Sequence, residues 1–184
     1  MSADSLSEPW RSFLLDLDHQ LEGPTELHCF GGFVVAEYYG LTRPTADIDI
    51  IEATGTDLKT LATLAGKGSA LAKQHHVYLD IVTVATVPED YAQRLFDIYP
   101  ATFENLRLKA FERHDLVLAK LSRNGDRDRE DVRRLAVGPG LDTEILKKRY
   151  AVELRFQSAN PDRDDLTLAL WIEMIEEVQA RPKS

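Results

Sequence analysis

Residues 29–51 read CFGGFVVAEYYGLTRPTADIDII, two glycines and an apolar run followed by a strand-like alternation that carries Asp47 and Asp49. Residues i and i+2 of a strand share a face, so both carboxylates project together while Ile48 and Ile50 project the other way. Two ionised carboxylates side by side repel, and a part-buried strand tolerates them only when a cation or an array of donors neutralises them. A hard divalent metal with oxygen ligands does this. Gly31 and Gly32 separate the short strand ELHCF from the helical FVVAEYY, which Gly40 stops. At such a junction, bare backbone amides can hold phosphate oxygens.

Working outward, residues 8–21 read as a helix, with Pro9 in its first turn and Trp10, Phe13, Leu14 and Leu17 at i, i+3, i+4 and i+7. After ADIDII, residues 57–74 read as one helix weakened by Gly66 and Gly68, and VYLDIVTVATV (77–87) as a buried strand ended by Pro88. The rest is mainly helical, with a short strand in FENLRLKAF (103–111). HDLVLAKLSR and DREDVRRLA are joined by the turn NGDR, Gly138-Pro139-Gly140 breaks the pattern, and TEILKKRYAVELRF and LTLALWIEMIEEVQ close the chain. The expected class is α+β, a small mixed sheet with flanking helices and a helical C-terminal portion.

The chain has 184 residues, 43% hydrophobic and 29% charged, enough for one domain, or one domain with a helical appendage. With no bilayer-length apolar run and no signal peptide, the expectation is a soluble, cytoplasmic protein without a membrane partner. The one cysteine, Cys29, is expected in the core, which agrees with a reducing compartment. A net charge of −9 argues against a protein that coats nucleic acid. It leaves room for a local basic groove, for which the arginines and lysines between Arg107 and Arg134 are the densest source. Most of these read as a solvated helix face, since acids are mixed among them.

Asp80 sits inside VYLDIVTV, where a buried strand has no structural need for a charge. If its strand neighbours that of Asp47 and Asp49, a third carboxylate reaches the same site. The competing reading is an Asp pair at a solvated strand edge and a buried ion pair at Asp80. Gly31 and Gly32, with Arg43 and Thr45 placed to meet a triphosphate tail, favour a metal and nucleotide site. Farther on, Asp128, Asp131, Val132 and Leu135 recur at helical spacing, so both aspartates face inward and need Lys120, Arg123 or Arg127 as partners. An ion-pair lock between two helices and a catalytic role are both open there. His75 and His76 read as surface or turn residues, and the stripe Leu168, Trp171, Ile172 and Ile175 as core or partner groove.

GGFVVAEYYGLTRPTADIDI, VYLDIV and HDLVLAKLSRNGDRDREDVRRL, in that order over residues 26–136, resemble the minimal nucleotidyltransferases of the DNA polymerase beta superfamily, in particular the AbiEii and MenT toxin-like group. The resemblance implies a nucleotidyltransferase core over residues 1–100, with a mainly helical part over 101–184 packed against it. It implies Gly31 and Gly32 as the glycine motif, Asp47 and Asp49 as ligands of two magnesium ions, with manganese as the alternative, and Asp80 as the third acid. Lys120 is then expected near the nucleotide phosphates, with Asp131 in the same cluster, and Asp128 is read as structural. Many relatives carry Gly-Ser where this chain has Gly31-Gly32, so one hydroxyl contact to phosphate is missing.

The implied activity is transfer of a nucleoside monophosphate from a nucleoside triphosphate to an RNA 3′ end, a tRNA above all, with growth arrest as outcome and a cognate antitoxin as partner. A protein hydroxyl or a small aminoglycoside-like acceptor is the second reading. A nucleotide-binding or protein-binding module without turnover is the third.

Overall fold

The computed structural model describes residues 6–40 and 44–181. These form two compact units: residues up to Val84 together with Leu95–Phe111, and Ala85–Arg94 together with the chain from Glu112 onward.

In the first unit the elements are α1 (Trp10–Asp18), β1 (Thr25–Phe30), α2 (Gly31–Phe33) continued as a π-helical turn over Val34–Tyr38, β2 (Asp47–Thr54), α3 (Leu58–Ala65), α4 (Ala70–His75), β3 (Tyr78–Ile81), β4 (Phe96–Ile98) and β5 (Leu106–Ala110). Among the described residues the strands form one mixed five-stranded sheet in the order β3-β2-β1-β5-β4. β2 runs antiparallel to β1 and parallel to β3, while β1 is parallel to β5. The expected α+β class is therefore what the chain adopts. β1 is the central strand, with Leu27 and Cys29 fully buried. Burial pushes the Cys29 thiol far up, with the Asp49 charge adding to it, so this cysteine is protonated and inert.

α1 buries the stripe its spacing defines, Trp10, Phe13, Leu14 and Leu17, and Trp10 meets Phe33 edge-on at 5.1 Å between ring centroids. At its end the buried Asp18 carboxylate accepts the backbone N–H groups of Glu104 (2.9 Å), Asn105 (2.8 Å) and Leu106 (2.7 Å). Three donors offset the cost of burying that charge and fix the start of β5.

Two sequence expectations change here. The helix expected over 57–74 is two helices, because Gly66 leaves helical geometry at the end of α3 and bridges to Leu79. A side chain at Gly66 would meet the Ala62 carbonyl oxygen at 2.4 Å, so glycine permits the break, and Ser69 then caps α4 through the Ala72 N–H. The strand expected over 77–87 keeps sheet pairing only over Tyr78–Ile81, at the edge of the sheet. Val84 is 88% exposed, and the alternation of residues 82–87 reflects composition rather than pairing. Asp80 is accordingly exposed, not buried, and the buried ion pair considered for it does not form.

The second unit holds α5 (Arg113–Leu118), α6 (Asp126–Val137), α7 (Thr143–Arg149) with a π-helical turn over Tyr150–Leu154, and α8 (Pro161–Ala180). Arg94 ties Ala85–Arg94 into this unit: its Nε donates to Asp115 at 2.7 Å and its Nη2 to Glu153 at 2.7 Å. Asp115 is fully buried and also accepts from Arg149 at 2.9 Å. His114 is buried with both ring nitrogens engaged: Nδ1 lies 2.6 Å from Glu112, and Nε2 accepts the Asp142 N–H at 2.9 Å. Burial works to raise the Glu112 carboxyl, yet His114 and Arg149 outweigh it and hold it down at about 2.

α8 starts at Pro161 rather than Leu166, because the Asn160 side chain caps the Arg163 N–H and Pro161 takes the first helical position. Leu168, Trp171, Ile172 and Ile175 are all buried, so that stripe is core. No helix of the described residues is long and apolar enough to cross a membrane.

Candidate functional site

The face of β2 that carries Asp47 and Asp49 is set by its opposite side, where Ile48 and Ile50 are fully buried. Core packing therefore turns both carboxylates outward. The parallel register of β2 and β3 pairs Asp47 with Tyr78 and Asp49 with Asp80. Asp47, Asp49, Tyr78 and Asp80 thus share one face of the sheet, and the strand of Asp80 is the neighbour of the strand that carries Asp47 and Asp49.

On the other side of β2, Asp49 pairs with Phe30, the last residue of β1. Gly31 follows with φ +70°, and a Cβ placed there would lie 1.7 Å from Asp49 Oδ2. The carboxylate occupies the volume that any other residue at position 31 would fill, so this glycine serves both a left-handed backbone and a close approach. Gly32 continues the first turn of α2 and is half-buried. Thr45 Oγ1 donates to Asp47 Oδ1 at 2.6 Å, which orients the first carboxylate. Arg43 lies outside the described residues.

The electrostatic signature of this face falls on Tyr78. Burial raises the phenol pKa, and the charges of Asp47, Asp80 and Asp49 each push it further in the same direction. Three negative fields therefore converge at one ring, over which Lys67 Nζ stands at 5.8 Å from the centroid. The sequence reading missed both residues. The signal for Tyr78 was present, since it stands two positions before Asp80 and so shares its face, whereas Lys67 in a loop had none.

All the donors here are oxygens, which suits magnesium or manganese. Among the described residues, no group of three or more His, Cys, Asp or Glu side chains is placed to hold a metal ion by itself. Magnesium does not need one, since it keeps several waters and binds through one or two carboxylates plus substrate phosphates. The open face, with the Asp49 carboxylate seated where a Cβ would be, fits that ion.

In the second unit the inward aspartates find the partners expected for them. Lys120 Nζ donates to Asp131 at 2.9 Å and lies 3.7 Å from Asp128, with all three side chains almost fully buried. Arg123 grips Asp128 with two nitrogens, Nε at 2.8 Å. Burial works to raise the Asp128 carboxyl, but Arg123, the Gly125 N–H and Lys120 outweigh it and lower its pKa. Lys120 and Asp131 thus form an ion-pair lock between the turn after α5 and α6. His75 and His76 stand apart from the carboxylate face as expected: His75 Nε2 lies 2.8 Å from Asp16, and His76 closes α4 in a left-handed conformation.

No curated protein and no solved structure matches the chain. One family model matches residues 14–179, nearly the whole chain and both units. With three carboxylates on one sheet face and a glycine that accommodates one of them, that match gives the assignment: the chain belongs to the family described as "Nucleotidyltransferase of unknown function (DUF6036)".

Proposed function

We propose that the chain transfers a nucleoside monophosphate from a nucleoside triphosphate to an acceptor hydroxyl at the face of Asp47, Asp49 and Asp80, and that the acceptor is an RNA 3′ end, in the first instance a tRNA. The observation that carries the reading is the seating of Asp49 against the Gly31 α-carbon while Asp49 stands in register with Asp80. A structural role accounts for one aspartate at a strand edge. It does not account for three on one face, with two directly opposite each other and a glycine reserved for one of them.

Asp47, Asp49 and Asp80 are the residues to hold two magnesium ions, or manganese in their place. When bound, these ions neutralise triphosphate oxygens and lower the pKa of the acceptor hydroxyl. Asp80, the exposed member of the three, accepts the hydroxyl proton. The acceptor oxygen bonds to the α-phosphorus as the bond from that phosphorus to its bridging oxygen breaks, and pyrophosphate leaves. Thr45 fixes Asp47, Gly31 admits Asp49, and the turn at Gly31 and Gly32 offers backbone N–H groups to the phosphates. Arg43 adds a cation on the same side of the sequence motif. Lys120 and Asp131 enter this reading as positioning residues, because the buried pair holds α6 in place.

The RNA acceptor, the growth-arresting role and the cognate antitoxin draw support from the sequence resemblance to the AbiEii and MenT toxin-like group. The test is to incubate the protein with each α-labelled nucleoside triphosphate, magnesium and total RNA, beside an Asp47→Ala, Asp49→Ala variant. Label on a tRNA-sized band with wild type alone supports the full reading. Label on protein or on a small cationic acceptor keeps the transferase and replaces the acceptor. Triphosphate binding without consumption would overturn the enzyme.

A further inference from the structure

A cleft of about 760 Å³ opens in the second unit between the end of α6, the Gly138-Pro139-Gly140 loop and the end of α8. Three arginines line it, Arg133 and Arg134 from α6 and Arg181 just past α8, against a single acid, Glu130. In a chain of net charge −9 this is a local reversal of sign. Arg134 is committed to Glu130 through an exposed pair at 2.8 Å, worth little in water. Arg133 is steadied by Met174, 3.1 Å from its Nε, and among the described residues neither it nor Arg181 pairs with a carboxylate.

The cleft also has an apolar wall. Val137 is 67% exposed, and Val178 and Pro139 line the same space. The loop beneath is braced by Arg113, which donates to the Leu135 carbonyl at 2.8 Å and packs where a Cβ of Gly138 would stand, 2.6 Å from its Nη1. A bare inorganic anion would use the arginines and leave the valines idle. A nucleotide unit uses both, with its phosphate on the guanidinium groups and its base or sugar on the apolar wall and the arginine planes.

We propose that this cleft binds the sugar-phosphate backbone of a single-stranded segment of the RNA acceptor. The identity of the strand rests on the RNA reading given above, whereas the existence of the site rests on the cleft itself. Arg133 and Arg181 carry the phosphate contacts, and the site works without triphosphate or magnesium.

The test is fluorescence anisotropy of a labelled single-stranded RNA in EDTA, without nucleotide, across a series of salt concentrations. Wild type is compared with Arg133→Gln, Arg181→Gln and with a Lys59→Gln, Lys73→Gln control, which removes equal charge from exposed positions of the first unit. The cleft variant should bind more weakly and lower the slope of log K against log salt by about 1.4, roughly 0.7 for each phosphate that the missing guanidinium groups no longer neutralise. The control should keep the wild-type slope. Equal behaviour of the two variants would overturn the site, as would arginine-dependent binding of a free mononucleotide with no binding of RNA. All the substituted side chains are exposed, so matching thermal unfolding midpoints confirm that the variants fold. Because binding is read without triphosphate, a failure here is separate from a failure of nucleotidyl transfer.

Discussion

Gly31→Ala is the sharpest perturbation of the carboxylate face, because one methyl group acts on two separable quantities. The backbone at Gly31 has φ +70°, where an L-residue carries about 1–2 kcal/mol of strain. For a chain of this size each kcal/mol lowers the unfolding midpoint by roughly 2–4 °C. The methyl carbon would also lie 1.7 Å from Asp49 Oδ2. The carboxylate must therefore retreat by more than about 1 Å, and a misplacement of that size costs a reaction on the order of 100-fold. Gly40→Ala supplies the control, since its φ is +69° and no described atom lies within 4 Å of the added carbon. Gly40→Ala should show the backbone strain alone in thermal unfolding, Gly31→Ala should lose at least as much stability, and only Gly31→Ala should lose transfer of labelled nucleotide. If Gly31→Ala transfers at the wild-type rate, or if both variants fall equally in activity, the reasoning about Asp49 is refuted.

Asp80→Asn should remove like-charge repulsion from the directly opposed Asp49 and raise stability by roughly 0.2–1 kcal/mol, while abolishing transfer; a variant that loses both stability and activity contradicts this. Lys120→Met leaves Asp131 buried without its ammonium partner and should destabilise the second unit by about 3–5 kcal/mol in denaturant unfolding, with Lys120→Met, Asp131→Leu recovering much of the loss. The Glu112 carboxyl, held at about 2 in the folded chain against an ordinary 4.5, contributes stability that is fully present above pH 4.5 and lost as pH falls toward 2. Urea midpoints should therefore decline across that window in wild type and less in Glu112→Gln.

The carboxylate face was legible because its signal is local. Strand alternation sends Ile48 and Ile50 to the core and leaves Asp47 and Asp49 no other direction. The α+β class and the inward pairing of Asp128 and Asp131 were legible from periodicity for the same reason. The length of β3 was not: residues 82–87 alternate as a strand does and β2 runs on to Thr54, yet the pairing ends at Ile81, with one last bond from the Val82 N–H to the Ile50 carbonyl at 2.9 Å. The break at Gly66 depends on a close approach to the Ala62 carbonyl, and the start of α8 on a single Asn160 side chain. The network of Arg94, Asp115, Glu153 and Arg149 joins residues far apart in sequence, so no spacing rule reveals it. That Tyr78 shares the face of Asp80 follows from its spacing, whereas its position opposite Asp47 depends on the register of β2 and β3.

Single-turnover transfer of α-labelled nucleotide, by wild type and by a folded Asp49→Asn variant, tests the central claim most directly. The account predicts labelled acceptor and released pyrophosphate in equal amounts from wild type, and neither from the variant. Transfer by Asp49→Asn at the wild-type rate would contradict it.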